Sequence, residues 1–204
     1  MRITLLTFLC LFLISCKTTK PYDYTLYREL MPRTLLVIPP TNNSNDVKAT
    51  YGYYSTLSKP LAELGYYVYP LGVVDSFFKE NGISMAAEMK AVPLDKLSEI
   101  FGADAVIYID LIDYGSKYMG IVQATVVNAN ITLVDCATGK VLWKGSIYAS
   151  DSSDGSDAGL VGMLVTAAVK QIVEQSVDYA HLLSERANNQ LLGGYNMLLE
   201  GPLK

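Results

Sequence analysis

Residues 105–112 read AVIYIDLI, led in by Gly102-Ala-Asp104 and followed by Asp113-Tyr-Gly115. Seven of the eight side chains are apolar or aromatic, several are β-branched, and only Asp110 interrupts them. Such a run is too short for a well-formed helix and suits a strand. Its near-continuous apolar character, without alternation, predicts a central strand covered on both faces.

A strand buried on both sides needs cover from its flanking segments. Toward the N-terminus, Pro93 at a first helical turn opens a helix over Leu94 to Phe101, and Gly102 ends it. A short helix is expected over Val74 to Asn81, closed by Gly82, with a further turn over Ser84 to Met89. Tyr66 to Tyr69 reads as a strand closed by Pro70. Thr50 to Leu64 reads as a helix ended by Gly65, and Pro60 inside it predicts a kink or a break into two pieces. Thr34 to Ile38 is the first strand, closed by Pro39-Pro40. The following TNNSND (41–46) carries turn chemistry.

Toward the C-terminus, Ile121 to Val134 alternates in polarity and predicts a strand with one solvated face. Asp135-Cys-Ala-Thr-Gly139 is a turn, and Lys140 to Ala149 is its hairpin partner, carrying the one Trp of the chain, Trp143. Asp151 to Asp157 is a polar connector, and a long helix is expected from Leu160 to about Leu192. Read in order, these segments predict an α/β (mixed α+β) fold. A single mixed sheet of about five strands carries helices packed on it and a long C-terminal helix.

The chain has 204 residues, with 16 Lys+Arg against 20 Asp+Glu. That length suits one domain with a sizeable core. A formal charge of −4 without a basic run argues against a nucleic-acid partner, which needs clustered cations to neutralise phosphates. Three Cys do not build a disulfide framework.

Residues 1–16 read MRITLLTFLCLFLISC. Arg2 precedes an uncharged apolar stretch from Ile3 to Ile14, too short to span a hydrocarbon core of ~30 Å. Leu13-Ile14-Ser15-Cys16 resembles the bacterial lipobox. The resemblance implies removal of residues 1–15 as a lipoprotein signal peptide and acylation (diacylglycerol and palmitate) of Cys16; the alternative is an ordinary signal peptide with a chance Cys. Lys17 follows, resembling the sorting pattern of lipoproteins sent to the outer membrane. The expected organisation is a signal peptide over 1–15, a lipidated N-terminus and short tether over 16–33, and one periplasmic α/β domain over 34–204. The partner this implies is the lipid bilayer, held through acylated Cys16, with the domain lipid-anchored on the periplasmic face of the outer membrane.

Few residues suggest chemistry. His181 is the one His of the chain, and no nucleophile elbow accompanies it. Asp110 and Asp113 flank the end of the strong strand, where paired carboxylates suit acid–base or metal chemistry. Simple alternation, however, points them to opposite faces. The run Asp151-Ser-Ser-Asp154-Gly-Ser-Asp157 departs from the calcium-loop spacing, and Asp157 suits an N-cap. Cys136, beside Asp135, is a poor nucleophile open to an intermolecular bridge. No catalytic residue, metal site or cofactor is expected.

Fifteen Tyr stand against five Phe, clustered at 51, 53, 54 and at 66, 67, 69. Tyr joins a large apolar body to a polar tip and is enriched at interfaces. The same residues also suit a half-buried layer between a sheet and its covering helix. Residues 158–169 are uncharged and include Gly159 and Gly162, small enough for close helix contact. They suit either a core helix or one facing another copy or the membrane. Contact residues are therefore expected at Tyr51, Tyr53 and Tyr54, and at Leu160 and Leu164.

Three stretches carry a wider resemblance: PRTLLVIPPTNNSNDVKATYGYYSTLSKPLAELGYYVYPLGVVDSFFKENG (32–82), AVPLDKLSEIFGADAVIYIDLIDYG (91–115) and LVDCATGKVLWKGS (133–146). With the lipobox, they resemble a family of bacterial lipoproteins of unknown function whose best-known member is a meningococcal surface antigen. Fainter similarity of 102–106 and 133–142 runs to CsgG, the curli secretion lipoprotein, to the N-terminal domain of TolB, and to LpoB-type activators of peptidoglycan synthesis. The resemblance implies a non-enzymatic accessory or structural component of a CsgG-like secretion or envelope assembly. It would act by protein–protein contact with a CsgG-like lipoprotein partner or with further copies of itself. The alternatives are an LpoB-like activator, which the short tether disfavours, and a hydrolase or ligand-binding protein using Asp110, Asp113 and His181.

Overall fold

A computed structural model describes residues 22–119, 122–152, 179–193 and 197–204. Along the chain the elements are α1 (Thr25–Leu30), β1 (Thr34–Val37), β2 (Thr41–Asn42), α2 (Ala49–Tyr54), α3 (Ser58–Glu63), β3 (Tyr67–Val68), α4 (Leu71–Glu80), α5 (Ala86–Lys90), α6 (Leu94–Phe101), β4 (Ala105–Met119), β5 (Val122–Asp135), β6 (Val141–Ser152) and α7 (Tyr179–Gly193). The six strands form one mixed sheet in the order β3-β1-β4-β5-β6, with β2 pairing β4 beyond the end of β1. β1 and β2 run parallel to β4, and β5 and β6 extend the sheet antiparallel.

The central placement of β4 follows from its side chains. Ile107, Ile109 and Leu111 point into one layer, where they meet Tyr53, Tyr54 and Leu61 of α2 and α3 and Ala180, Leu183 and Ala187 of α7. Val106 points to the other layer, with Val74 and Phe78 of α4, Met89 of α5 and Leu97 of α6. Among the described residues this second cover ends beyond Asp110, and the alternate side chains turn polar.

Two local features differ from simple patterning. The expected helix over 50–64 is two pieces: Ser55 to Leu57 interrupt it, and Pro60 falls in the first turn of α3, where its missing N–H costs no helical hydrogen bond. The lead-in read as tether contains α1, whose Tyr27 is 2% exposed, so ordered packing begins well before β1. Gly65 (φ +88°) occupies the left-handed position after α3 and lets the C-terminal segment press against it: Gly201 N–H donates to Leu64 O at 2.8 Å and Leu203 N–H to Gly65 O at 3.0 Å. No helix among the described residues is long and apolar enough to cross a membrane.

Candidate functional site

Among the described residues, no helix covers the sheet face beyond α4–α6. In an antiparallel pair, residues directly opposite share a face. Asp110 opposes Asn130 and Asp113 opposes Asn128. Asn128 in turn opposes Tyr148, Asn130 opposes Ser146, and Thr132 opposes Lys144. These residues form a polar platform, with the Tyr148 ring 58% exposed at its edge.

This pairing corrects the expectation that Asp110 and Asp113 face opposite ways. The register shifts between Leu111 and Asp113, leaving Ile112 as an extra residue. Such a bulge restores Asp113 to the face of Asp110. Each carboxylate nevertheless has its own cation. Lys90 Nζ lies 2.5 Å from Asp110 Oδ1, the Thr41 hydroxyl donates to the same oxygen at 2.5 Å, and Lys117 pairs with Asp113. Partial burial pushes the Asp110 carboxyl up, and the Lys90 and Thr41 hydrogen bonds outweigh it, leaving its pKa below the usual carboxylate value.

His181 lies elsewhere. It sits on α7, whose buried side chains pack on the opposite sheet face. Its Nδ1 is 2.9 Å from Gly52 O, and Nε2 is 3.7 Å from Glu185 Oε1. The sheet therefore stands between His181 and the two aspartates, and the three are not one constellation. Among the described residues no group of His, Cys, Asp and Glu is placed to hold a metal ion.

The tyrosine cluster divides. Tyr51 is 46% exposed, donates to Asp75 Oδ1 at 3.2 Å, and has Lys79 Nζ 4.7 Å from its ring centroid. Tyr53 is fully buried and donates to Asn188 Oδ1 at 2.8 Å. Tyr54 is also buried and donates to Val37 O at 2.8 Å. The expectation of contact residues is corrected at Tyr53 and Tyr54: α2 packs these two rings between α7 and β1, where no partner reaches them. Cys136 is likewise buried, and burial first, then the charges of Asp135 and Asp104, push its thiol up to about 11. That corrects its expected availability for a bridge. Cys16, Leu160, Leu164, Asp154, Asp157 and residues 158–169 lie outside the described residues.

Sequence reading passed over the junction of the two chain ends. Tyr24 OH donates to Met197 O at 2.5 Å, Tyr66 OH donates to Leu199 O at 2.6 Å, and the Tyr27 and Tyr66 hydroxyls are hydrogen-bonded to each other. The Lys144 N–H donates to Tyr22 OH at 3.0 Å, fastening the first described residue to β6. Between α1, α3 and residues 197–204 lies a groove of about 600 Å³. Nothing in the local sequence signals these contacts, because each joins residues more than 100 positions apart, Tyr27–Tyr66 excepted.

Comparison with known proteins then places the molecule among lipoproteins. The family model described as "Putative lipoprotein GNA1162-like" matches residues 22–203. "Putative lipoprotein NMB1124/NMB1162" of Neisseria meningitidis serogroup B is 42% identical over 194 residues, covering 93% of this chain and 90% of that one. The crystal structure of lipoprotein GNA1162 from Neisseria meningitidis has 46% identity and a TM-score of 0.57, covering 70% of this chain and 99% of that one. The LpoB C-terminal domain from Escherichia coli is a more distant neighbour, at 17% identity and a TM-score of 0.43 over 64% of this chain and all of that one. None of these descriptions names a reaction.

Proposed function

This chain belongs to the GNA1162-like lipoprotein family, and from that premise we propose that it is a non-enzymatic, membrane-proximal contact protein. Its lipobox Cys is the anchor: residues 1–15 are removed, Cys16 is acylated, and the domain is moored to the periplasmic face of the outer membrane. It acts there by binding other proteins as an accessory or structural component of a CsgG-like secretion or envelope assembly, and by associating with its own copies.

The observation that carries this reading is the short path from anchor to core. Only six peptide steps separate Cys16 from Tyr22, about 20 Å when fully extended. Tyr22 is already fastened to β6 by the Lys144 N–H. A domain so held works at the membrane surface. An LpoB-like activator reaching across the periplasm to a synthase is disfavoured by the same distance. The contact surfaces we favour are the polar platform around Asn128, Asn130 and Tyr148, and exposed Tyr51, with Leu160 and Leu164 as further candidates. The hydrolase reading loses support from the separation of His181 from Asp110 and Asp113.

The test has two arms. Mass analysis of the membrane form should find Cys16 acylated as the first residue; an unmodified Cys16 or a soluble product cut elsewhere overturns the anchoring. In-cell crosslinking from a photoreactive residue at Tyr148 should capture neighbouring envelope proteins or further copies. H181A, on the opposite layer, should leave that pattern unchanged. Loss of capture in H181A, with the fold intact, would count against the platform as the contact surface.

A further inference from the structure

The anchoring reading, on which this inference rests, does not say which side of the domain meets the lipid. We propose that the groove between α1, α3 and residues 197–204 is the face laid on the bilayer, with its methionine rim entering the headgroup boundary. Met31 and Met197 line this groove and are 47% and 41% exposed. Leu30 and Leu203, on the same two segments, are 38% and 51% exposed. The two segments are joined by the Tyr24–Met197 hydrogen bond and by the Tyr27 hydroxyl donating to Leu199 O at 3.4 Å, and Leu203 N–H ties the second of them to Gly65 after α3.

Chain length selects the occupant. The Tyr22 and Tyr24 rings lie 4.8 Å apart between centroids, and Tyr24 holds Met197, so the groove's rim adjoins the point where the tether joins the domain. Acyl chains on Cys16 can stand no more than about 20 Å from Tyr22. A flexible apolar rim with amphipathic neighbours suits the acyl–headgroup boundary. Charge contributes little: Arg28 and Lys204 line the groove, but so do Glu63 and Glu200, and Lys204 is 2.5 Å from Glu200. The contact is therefore expected to be insensitive to salt and to anionic lipid content.

The test uses the acylated protein in vesicles of phosphatidylethanolamine and phosphatidylglycerol. In a C136S background, a single environment-sensitive fluorophore is placed through M31C, through M197C, or through V73C on α4, in the opposite layer. Headgroup-nitroxide lipids should quench the probes at 31 and 197 several-fold more than the probe at 73, equally in low and high salt. Protein that does not float with the vesicles overturns the anchoring, and this inference with it. Floating protein whose three probes are quenched alike, or not at all, overturns the orientation alone. Energy transfer between labelled copies at position 31 without lipid quenching also overturns it, in favour of a copy–copy contact.

Discussion

The Tyr53 hydroxyl donates to Asn188 Oδ1 at 2.8 Å, joining α2 to α7 across 135 residues of sequence with both side chains fully buried. The amide is satisfied on its other side by Thr56, whose hydroxyl accepts from Asn188 Nδ2 at 2.8 Å. Tyr53→Phe keeps the ring and strands a buried acceptor, which costs about 1–3 kcal/mol. Asn188→Ala removes the other partner, and the double variant should cost less than the two singles summed. Urea unfolding of the four proteins checks this; additive losses would show that the two groups do not interact.

Tyr51, two positions earlier, is the contrasting case. It contacts the Asp75–Lys79 pair on the surface and contributes no core packing. Tyr51→Ala should move stability by no more than about 0.5 kcal/mol, while weakening crosslinks to neighbours if Tyr51 belongs to a contact surface. A large fall in the urea midpoint would mean that this ring supports the fold.

The legible parts of the sequence were those governed by local rules. Leu94–Phe101 ends at Gly102, which is left-handed at φ +68°, and the apolar run of β4 lies centrally, as its lack of alternation implies. The turn 135–139 closes with Gly139 N–H donating to Asp135 O at 3.0 Å. What spacing did not disclose depended on distant partners. Tyr51, Tyr53 and Tyr54 are alike in composition, and only the docking of α7 and β1 buries two of them. Asp110 and Asp113 share a face because of one extra residue, Ile112, which no pattern of alternation announces. β4 runs on to Met119 because β5 pairs with it there, although its own side chains have become polar.

Buried phenols and the buried thiol make the fold sensitive to alkali. Burial raises Cys136 from 9.0 to about 11 and Tyr108 from 10.0 to about 12, and pushes Tyr53, Tyr54 and Tyr66 up as well. Between its unfolded and folded pKa each group binds more protons folded than unfolded, so stability falls as pH rises. The contribution is complete below about pH 9 and is lost progressively above it, first through Cys136 and then through the tyrosines. Urea midpoints should be flat from pH 7 to about 8.5 and drop by pH 10.5. At pH 8 the native thiol should react with a disulfide reagent far more slowly than in denaturant; equal rates would contradict its burial.

Three glycines give predictions of opposite sign. A Cβ built on Gly201 would lie 2.4 Å from Gly65 O, a backbone atom that cannot rotate away. Gly201→Ala must therefore lift residues 197–204 off α3 and should cost about 1–3 kcal/mol, as overpacking does. Gly65→Ala meets Lys204 Cβ at 2.7 Å and must also hold a left-handed φ of +88°, adding about 1–2 kcal/mol. Gly72, in the first turn of α4, has nothing within 4 Å of the same built atom. Gly72→Ala should therefore stabilise the protein, by a few tenths to about 1 kcal/mol, because alanine loses less backbone entropy on entering a helix. Thermal unfolding of the three variants separates the cases. A Gly201→Ala protein as stable as its parent would mean that the C-terminal segment is not pressed against Gly65, and the groove it helps to build would lose one wall.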